Sequence, residues 1–197
     1  MPGIADRRLI LVGGGARSGK SRFALQRAQA LGPRRTFIAT AEPLDDEMAT
    51  RIQHHRSERG SAFRTIEEPV ALPEALTAAA TAAVPTDVIV VDCLTLWVSN
   101  LLVRNVGPAD LADSFERLEQ ALEAARTSTH IILVTNEVGL GLVPETPLGR
   151  RFRDVIGSLH QRLAARADEL VLAVMGVLLR LRPEPVAVVP LAPEEPV

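Results

Sequence analysis

Eight consecutive residues, Gly14, Gly15, Ala16, Arg17, Ser18, Gly19, Lys20 and Ser21, fit the phosphate-loop pattern G-x-x-x-x-G-K-[ST] without a mismatch. Each residue type has a chemical reason. Glycines let the backbone turn and bring its N–H groups around phosphate oxygens. The first turn of a following helix adds unpaired donors and the positive end of its dipole. Lys20 reaches the terminal phosphates as a compact positive charge, and the Ser21 hydroxyl holds Mg²⁺. A second metal oxygen is expected from Asp92, which ends the apolar run Val88-Ile89-Val90-Val91 and holds Mg²⁺ directly or through water.

The pair His54-His55 separates this chain from an ordinary phosphate-loop kinase. Leu44, Met48, Ile52 and His55 follow one another at helical spacing, which predicts a buried stripe. Glu47, Arg51, His54 and Glu58 then fall on the opposite, polar face. On this geometry only His54 points outward. An exposed imidazole between Arg51 and Glu58 is a phosphate contact, an acid/base group, a nucleophile for phosphorus, or simply a solvated surface histidine. Spacing alone leaves these open, and no His or Cys pairing elsewhere makes a zinc site attractive.

The elements that must position these groups are legible in outline. Leu9-Ile10-Leu11-Val12 is short and apolar enough for a buried strand leading into the loop, and a helix starts at its far side and ends near Leu31-Gly32-Pro33. Further strands are expected at 36–40, 63–68, 88–92, 131–134 and 169–174, with 177–181 as an edge strand. Helices are expected at 45–59, 72–83, 94–103, 109–126 and 148–167, the last two through the stripes Leu111, Phe115, Leu118, Leu122 and Phe152, Ile156, Leu159, Leu163. Alternating strands and helices predict an α/β fold, a mostly parallel sheet covered on both faces, with ligands at the carboxyl ends of its strands. The long Gly/Pro-punctuated loop after Asn136 and Glu137 follows a core strand, where such loops are usually functional. Asn136 and Glu137 either contact nucleotide or Mg²⁺ or cap the next segment.

With 197 residues the chain suits one domain, taken as 1–182, followed by a proline-rich tail at 183–197 that is expected to be extended or disordered. A formal net charge of −2, 3% aromatic residues and no tyrosine provide neither the basic stripe nor the stacking platform that nucleic-acid binding uses. Cys93 is the single cysteine, so no intrachain disulfide forms, and it is expected to be a small buried filler beside the site. The apolar start runs into the phosphate loop instead of a cleavage site, and no stretch is long enough to span a bilayer. A soluble cytoplasmic protein without nucleic-acid or membrane partners is the expectation.

Four motifs in order, GGARSGKS, IAT followed by LDDEMATRIQHHRSER, VDCLTLWVSNLL, and VTNEVGLGLVPETPLGRRFRDVIGSLHQRLAARADELVLAVMG, closely resemble the bifunctional adenosylcobinamide kinase and adenosylcobinamide-phosphate guanylyltransferase family of cobalamin biosynthesis. The similarity runs from about Leu9 to Gly176. It implies a RecA-like P-loop NTPase fold and two reactions. ATP or GTP first phosphorylates the aminopropanol hydroxyl of adenosylcobinamide. GTP then gives GMP to adenosylcobinamide phosphate, releasing pyrophosphate, through a covalent guanylyl-histidine on the residue matching His54. Thr40, Ala41, Glu42, His55, Arg56, Ser57, Glu58, Glu67 and Asp92 are implied to line the nucleotide site, Lys20 and His54 to be catalytic, and Ser21 and Asp92 to hold Mg²⁺. Glu67 is the choice for accepting from guanine N1 and N2. The resemblance also implies a homotrimer. Arg150, Arg151 and Arg153 either meet the corrinoid phosphate or form a solvated face. A plain P-loop small-molecule kinase and a nucleotide-driven regulatory module are the competing readings.

Overall fold

The computed structural model describes residues 7–189, the side chains of Arg51 and Glu58 excepted. Its elements alternate from the start: β1 (Leu9–Gly14), α1 (Lys20–Leu31), β2 (Arg35–Ala39), α2 (Asp46–Arg59), a 3₁₀ turn (Gly60–Ala62), β3 (Arg64–Glu67), α3 (Leu72–Ala80), β4 (Val88–Asp92) and α4 (Leu94–Val103). Then come α5 (Pro108–Ala125), β5 (His130–Val134), α6 (Pro147–Arg166), β6 (Glu169–Val174), β7 (Val177–Arg182) and β8 (Ala187–Val189). Among the described residues one sheet contains every strand, in the order β3-β2-β4-β5-β1-β6-β7-β8. The first six in that order pair in parallel, and β7 and β8 are added antiparallel.

The strands β1, β4 and β5 are unbroken apolar runs because both faces of the sheet are covered. Successive side chains go to opposite faces, so Leu9 and Leu11 join one core with α3, α4, α5 and α6, while Ile10 and Val12 join another under α1. The α5 stripe Leu111, Phe115, Leu118 and Leu122 is buried, as are Ile156, Leu159 and Leu163 of α6. Phe152 packs only partly into the same core. Trp97 is fully buried against Phe115, with ring centroids 5.7 Å apart, and donates its indole N–H to the Val70 carbonyl at 2.7 Å.

One expectation needs correction at the C-terminal side. The sequence predicts 177–181 as an edge strand, yet β7 is an interior strand, because Ala187–Val189 pairs along its outer side. Residues 187–189 of the proline-rich stretch are therefore ordered strand. The physical reason is the open hydrogen-bonding edge that β7 would otherwise present, which even a short extended segment satisfies. The remainder of that tail, 190–197, lies outside the described residues.

Candidate active site

The carboxyl ends of β1, β2, β4 and β5 lie side by side, and each contributes to one cluster. At the end of β1 the chain must pass close to its neighbour. A Cβ on Gly14 would stand 2.5 Å from the Ala173 carbonyl oxygen and 2.7 Å from Ser18 Oγ, and its φ is +152°. Positive φ at Arg17 (54°) and Gly19 (95°) turns the loop into the start of α1. Gly19 caps α1 with no side-chain hydrogen bond, and the first helical turn holds no acid. Those first N–H groups and the helix dipole are thus directed at an anion.

Lys20 is buried, and its Nζ donates to the Gly15 carbonyl at 2.9 Å, across its own loop. Burial holds its ammonium below the usual lysine range, against the raising influence of Asp92 and Cys93. Asp92 is pushed up by burial. A hydrogen bond from Ser21 lowers it most effectively, followed by the charges of His55, Lys20 and Arg59. The two expected metal oxygens, Ser21 Oγ and the Asp92 carboxylate, are therefore in direct contact, a hard-oxygen donor pair suited to Mg²⁺ that still relies on phosphate and water for its remaining ligands. Ser18 Oγ is buried in the loop without a hydrogen-bond partner among the described residues.

Helix α2 starts at an Asp45 cap, whose Oδ1 accepts from the Met48 N–H at 2.7 Å. The expected buried stripe along it does not form. Leu44 is 76% exposed, His55 is exposed, and Met48 and Ile52 are only half-buried. The helix is anchored instead at its last turn, where buried Arg59 lies with its guanidinium 4.0 Å from the centroid of the Phe37 ring. Phe37 itself meets Phe63 edge-on at 6.2 Å. With its weight on Arg59, α2 keeps both histidines at the surface, their rings 6.0 Å apart. His55 is the one whose charge reaches Asp92.

The other expected nucleotide contacts divide into those that the structure brings together and those already engaged. Arg56 and Glu67 form an ion pair, linking α2 to the end of β3. Thr40 is fully buried, and its hydroxyl donates to the Cys93 carbonyl at 2.7 Å while accepting from the Cys93 N–H at 2.8 Å. It staples β2 to β4 through both of these bonds. Ala41 follows it, partly exposed. Glu42 pairs with Arg104 at 2.6 Å, leaving its Oε2 buried and without a partner among the described residues. The Ser57 hydroxyl donates to the His54 carbonyl within its own helix at 2.6 Å. The Glu58 side chain lies outside the described residues.

Cys93 is buried as expected. Burial first, and the Asp92 carboxylate second, push its thiol up to about 11, so it stays protonated and unreactive. Asn136 is tied by its Nδ2 to Thr95 Oγ1 at 2.9 Å, which accounts for its side chain structurally. Arg150 donates to the Pro144 and Glu145 carbonyls and Arg151 to the Val106 carbonyl, so both brace loops. Arg153 lines an open cavity of about 520 Å³ beside Gly139 and Ser158.

Three contributors went unnoticed in the sequence. Buried Asn100 donates through Nδ2 to the Thr40 carbonyl at 2.8 Å and to the Pro69 carbonyl at 3.0 Å, holding the ends of β2 and β3 against α4. Asn100→Ala strands both carbonyls and is expected to cost about 2 kcal/mol, read as a lower urea midpoint at unchanged slope. Arg59 stands four residues after His55, so the same spacing rule would have placed it on the face toward Asp92. His160 likewise continues the i, i+4 series from Phe152 and Ile156.

His160 Nε2 lies 2.7 Å from Thr135 Oγ1, and its Nδ1 lies 3.7 Å from Glu137 Oε2, directly behind the phosphate loop, where the Glu137 N–H donates to the Gly14 carbonyl at 3.0 Å. Burial holds His160 below the ordinary histidine value, opposed by Glu137. The unfolded chain takes up this proton near pH ~6.5 and the folded chain only at lower pH. The stability contributed by neutral His160 is complete above that value and falls away as pH drops toward the folded value. His160→Asn is expected to flatten this part of the slope of Tm against pH. Identical slopes for the two proteins over the acid range would contradict the assignment.

Residues 10–181 match the family model CobU, cobinamide kinase / cobinamide phosphate guanyltransferase. The chain is 44% identical over 179 residues to the bifunctional adenosylcobalamin biosynthesis protein CobP of Pseudomonas aeruginosa, covering 91% of this chain and 99% of the relative. It is 42% identical over 187 residues to CobU of Salmonella typhimurium and 41% identical over 187 residues to CobU of Escherichia coli, in both cases covering 88% of this chain and 99% of the relative. Among solved structures, the RadB recombinase superposes with a TM-score of 0.52 at 17% identity, over 92% of this chain and 86% of that one, which places the sheet among RecA-like P-loop folds. By the family model and by relatives matched along almost their whole length, the chain belongs to the CobU family of bifunctional adenosylcobalamin biosynthesis proteins.

Proposed function

We propose that this protein phosphorylates adenosylcobinamide with ATP or GTP and then transfers GMP from GTP to adenosylcobinamide phosphate through a guanylyl-histidine at His54. The observation that carries the reading is the position of Asp92. It accepts from Ser21 of the phosphate loop and feels the charges of both Lys20 and His55, so the loop and the histidine-bearing helix converge on one carboxylate.

The loop amides, the start of α1 and Lys20 bind the β- and γ-phosphates and stabilise the negative charge that builds on the leaving group. In the kinase step that group is the nucleoside diphosphate, and in the transfer step it is pyrophosphate. Ser21 and Asp92 would hold Mg²⁺, which would supply charge neutralisation to the nucleotide phosphates. An imidazole nitrogen of His54 attacks the α-phosphorus as the bond to pyrophosphate breaks, and the phosphate oxygen of the second substrate later displaces the imidazole. Arg56 and Glu67 face each other at the edge of the site, and Glu67 accepts from guanine N1 and N2. Thr40 and Asn100 position the strand ends. The same reading takes residues 1–182 as one catalytic unit working as a cytoplasmic homotrimer.

Incubation with GTP labelled at the α-phosphate tests the transfer step. An acid-labile, alkali-stable label on the protein is expected, and its absence from an active preparation would sink the guanylyl-histidine. A plain P-loop kinase would phosphorylate adenosylcobinamide without that label.

A further inference from the structure

The kinase step requires the acceptor hydroxyl to lose a proton as it attacks. The phosphate loop, with its amides, hydroxyls, Arg17 and Lys20, contains no base to take it. Carboxylates stand near the carboxyl ends of β2, β3, β4 and β5, and most of them are engaged. Glu42 pairs with Arg104 and Glu67 with Arg56. Glu68 accepts from the Val70 and Ala71 N–H groups, and Asp92 accepts from Ser21. An arginine beside a carboxylate favours its charged form and so makes it a poorer proton acceptor.

Glu137 differs in place and in partners. Strand β5 lies between β4, which ends in Asp92, and β1, which runs into the phosphate loop. Asp92 and Val12 both stand level with Val134, so the chain beyond Val134 leaves the sheet between that acid and the loop. The Glu137 N–H then donates to the Gly14 carbonyl at 3.0 Å. Its side chain is 32% exposed. Oε1 accepts from the Gly139 N–H at 2.6 Å, which anchors the carboxylate at one oxygen. Oε2 makes no hydrogen bond among the described residues. It lies 3.7 Å from His160 Nδ1, and the opposite ring nitrogen, Nε2, is fixed on Thr135 Oγ1 at 2.7 Å. Burial holds His160 below the ordinary histidine value, so this neighbour brings no positive charge at neutral pH. Among the described residues no lysine or arginine pairs with Glu137.

We propose that Glu137 is the general base of the kinase step and takes the proton of the acceptor hydroxyl on Oε2. The assignment rests on the kinase reading given above and adds the residue that this reading lacks. As the proton passes to the carboxylate, the hydroxyl oxygen bonds to the γ-phosphorus. The bond from that phosphorus to the bridging oxygen breaks, and nucleoside diphosphate leaves. The transfer step has no such need. The attacking imidazole nitrogen, and the phosphate oxygen that later displaces it, react through lone pairs and give up no proton.

Glu137→Gln tests the base, because glutamine keeps an oxygen that accepts from Gly139 and removes the basicity. With both substrates saturating, kcat for phosphorylation of adenosylcobinamide is expected to fall roughly 10²-fold or more, with KM for GTP changed by less than about threefold. The yield of GMP adduct from GTP labelled at the α-phosphate, measured on the same sample, should equal that of the parent. An undiminished kcat would overturn the proposal. So would a parallel loss of phosphorylation and adduct, since a disturbed phosphate loop impairs both. A parent chain that forms the adduct but phosphorylates no adenosylcobinamide would overturn the kinase reading itself, so the two failures are told apart by the parent.

Discussion

His54→Asn is expected to lose the covalent GMP adduct completely and to slow guanylyl transfer by roughly 10³-fold or more, with phosphorylation of adenosylcobinamide retained. The split follows from what each step asks of the residue. In the kinase step the attacking atom is the substrate hydroxyl, and the phosphate loop holds the leaving group. In the proposed transfer step the attacking atom is the imidazole nitrogen itself, which asparagine cannot replace. His54 is exposed, so the substitution leaves the core untouched and Tm should not change. The matched control is His55→Asn. That residue is equally exposed, but it acts on Asp92 electrostatically and should keep the adduct while weakening nucleotide binding. An adduct that survives in His54→Asn and disappears in His55→Asn would exchange their roles.

Lys20→Met should depress both reactions together, by roughly 10²–10³-fold each, because one preorganised cation serves the leaving group in both. Methionine keeps the length of the stem and removes the charge. Burial already disfavours that charge, as the lowered lysine value records, so the variant should unfold at a Tm no lower than the parent. Lost activity in a stable protein then reports chemistry. If phosphorylation fell and guanylyl transfer did not, the leaving pyrophosphate would have to be held elsewhere, and the shared cradle would be wrong.

These two substitutions together would separate the proposed site into a common part and a part used only for transfer. The common part is closely packed. Gly14 is pressed against Ala173, Lys20 is folded onto Gly15, and Asp92 is held between Ser21 and the interior of the sheet. The transfer part rides on α2, a helix anchored through Arg59 on Phe37 and exposed along most of its length.

The sequence by itself determined the phosphate loop, the acid at the end of β4, the alternation of strands and helices, and the stripes of α5 and α6. All of these depend on residues near in sequence: a turn that only glycine permits, a run of branched side chains, a period of 3.6. Local rules misjudged α2, because spacing says which residues share a face and not whether anything packs against it. The apolar positions of that helix are few, and the tertiary structure chose Arg59 and Phe37 as its anchor. Equally out of reach of local rules are the bond of Thr40 to Cys93, 53 residues away, and that of Asn100 to Thr40 across 60 residues. Buried hydrogen-bonding groups must find partners wherever the fold brings them, and those partners are set by the packing of whole elements, which no short stretch of sequence contains.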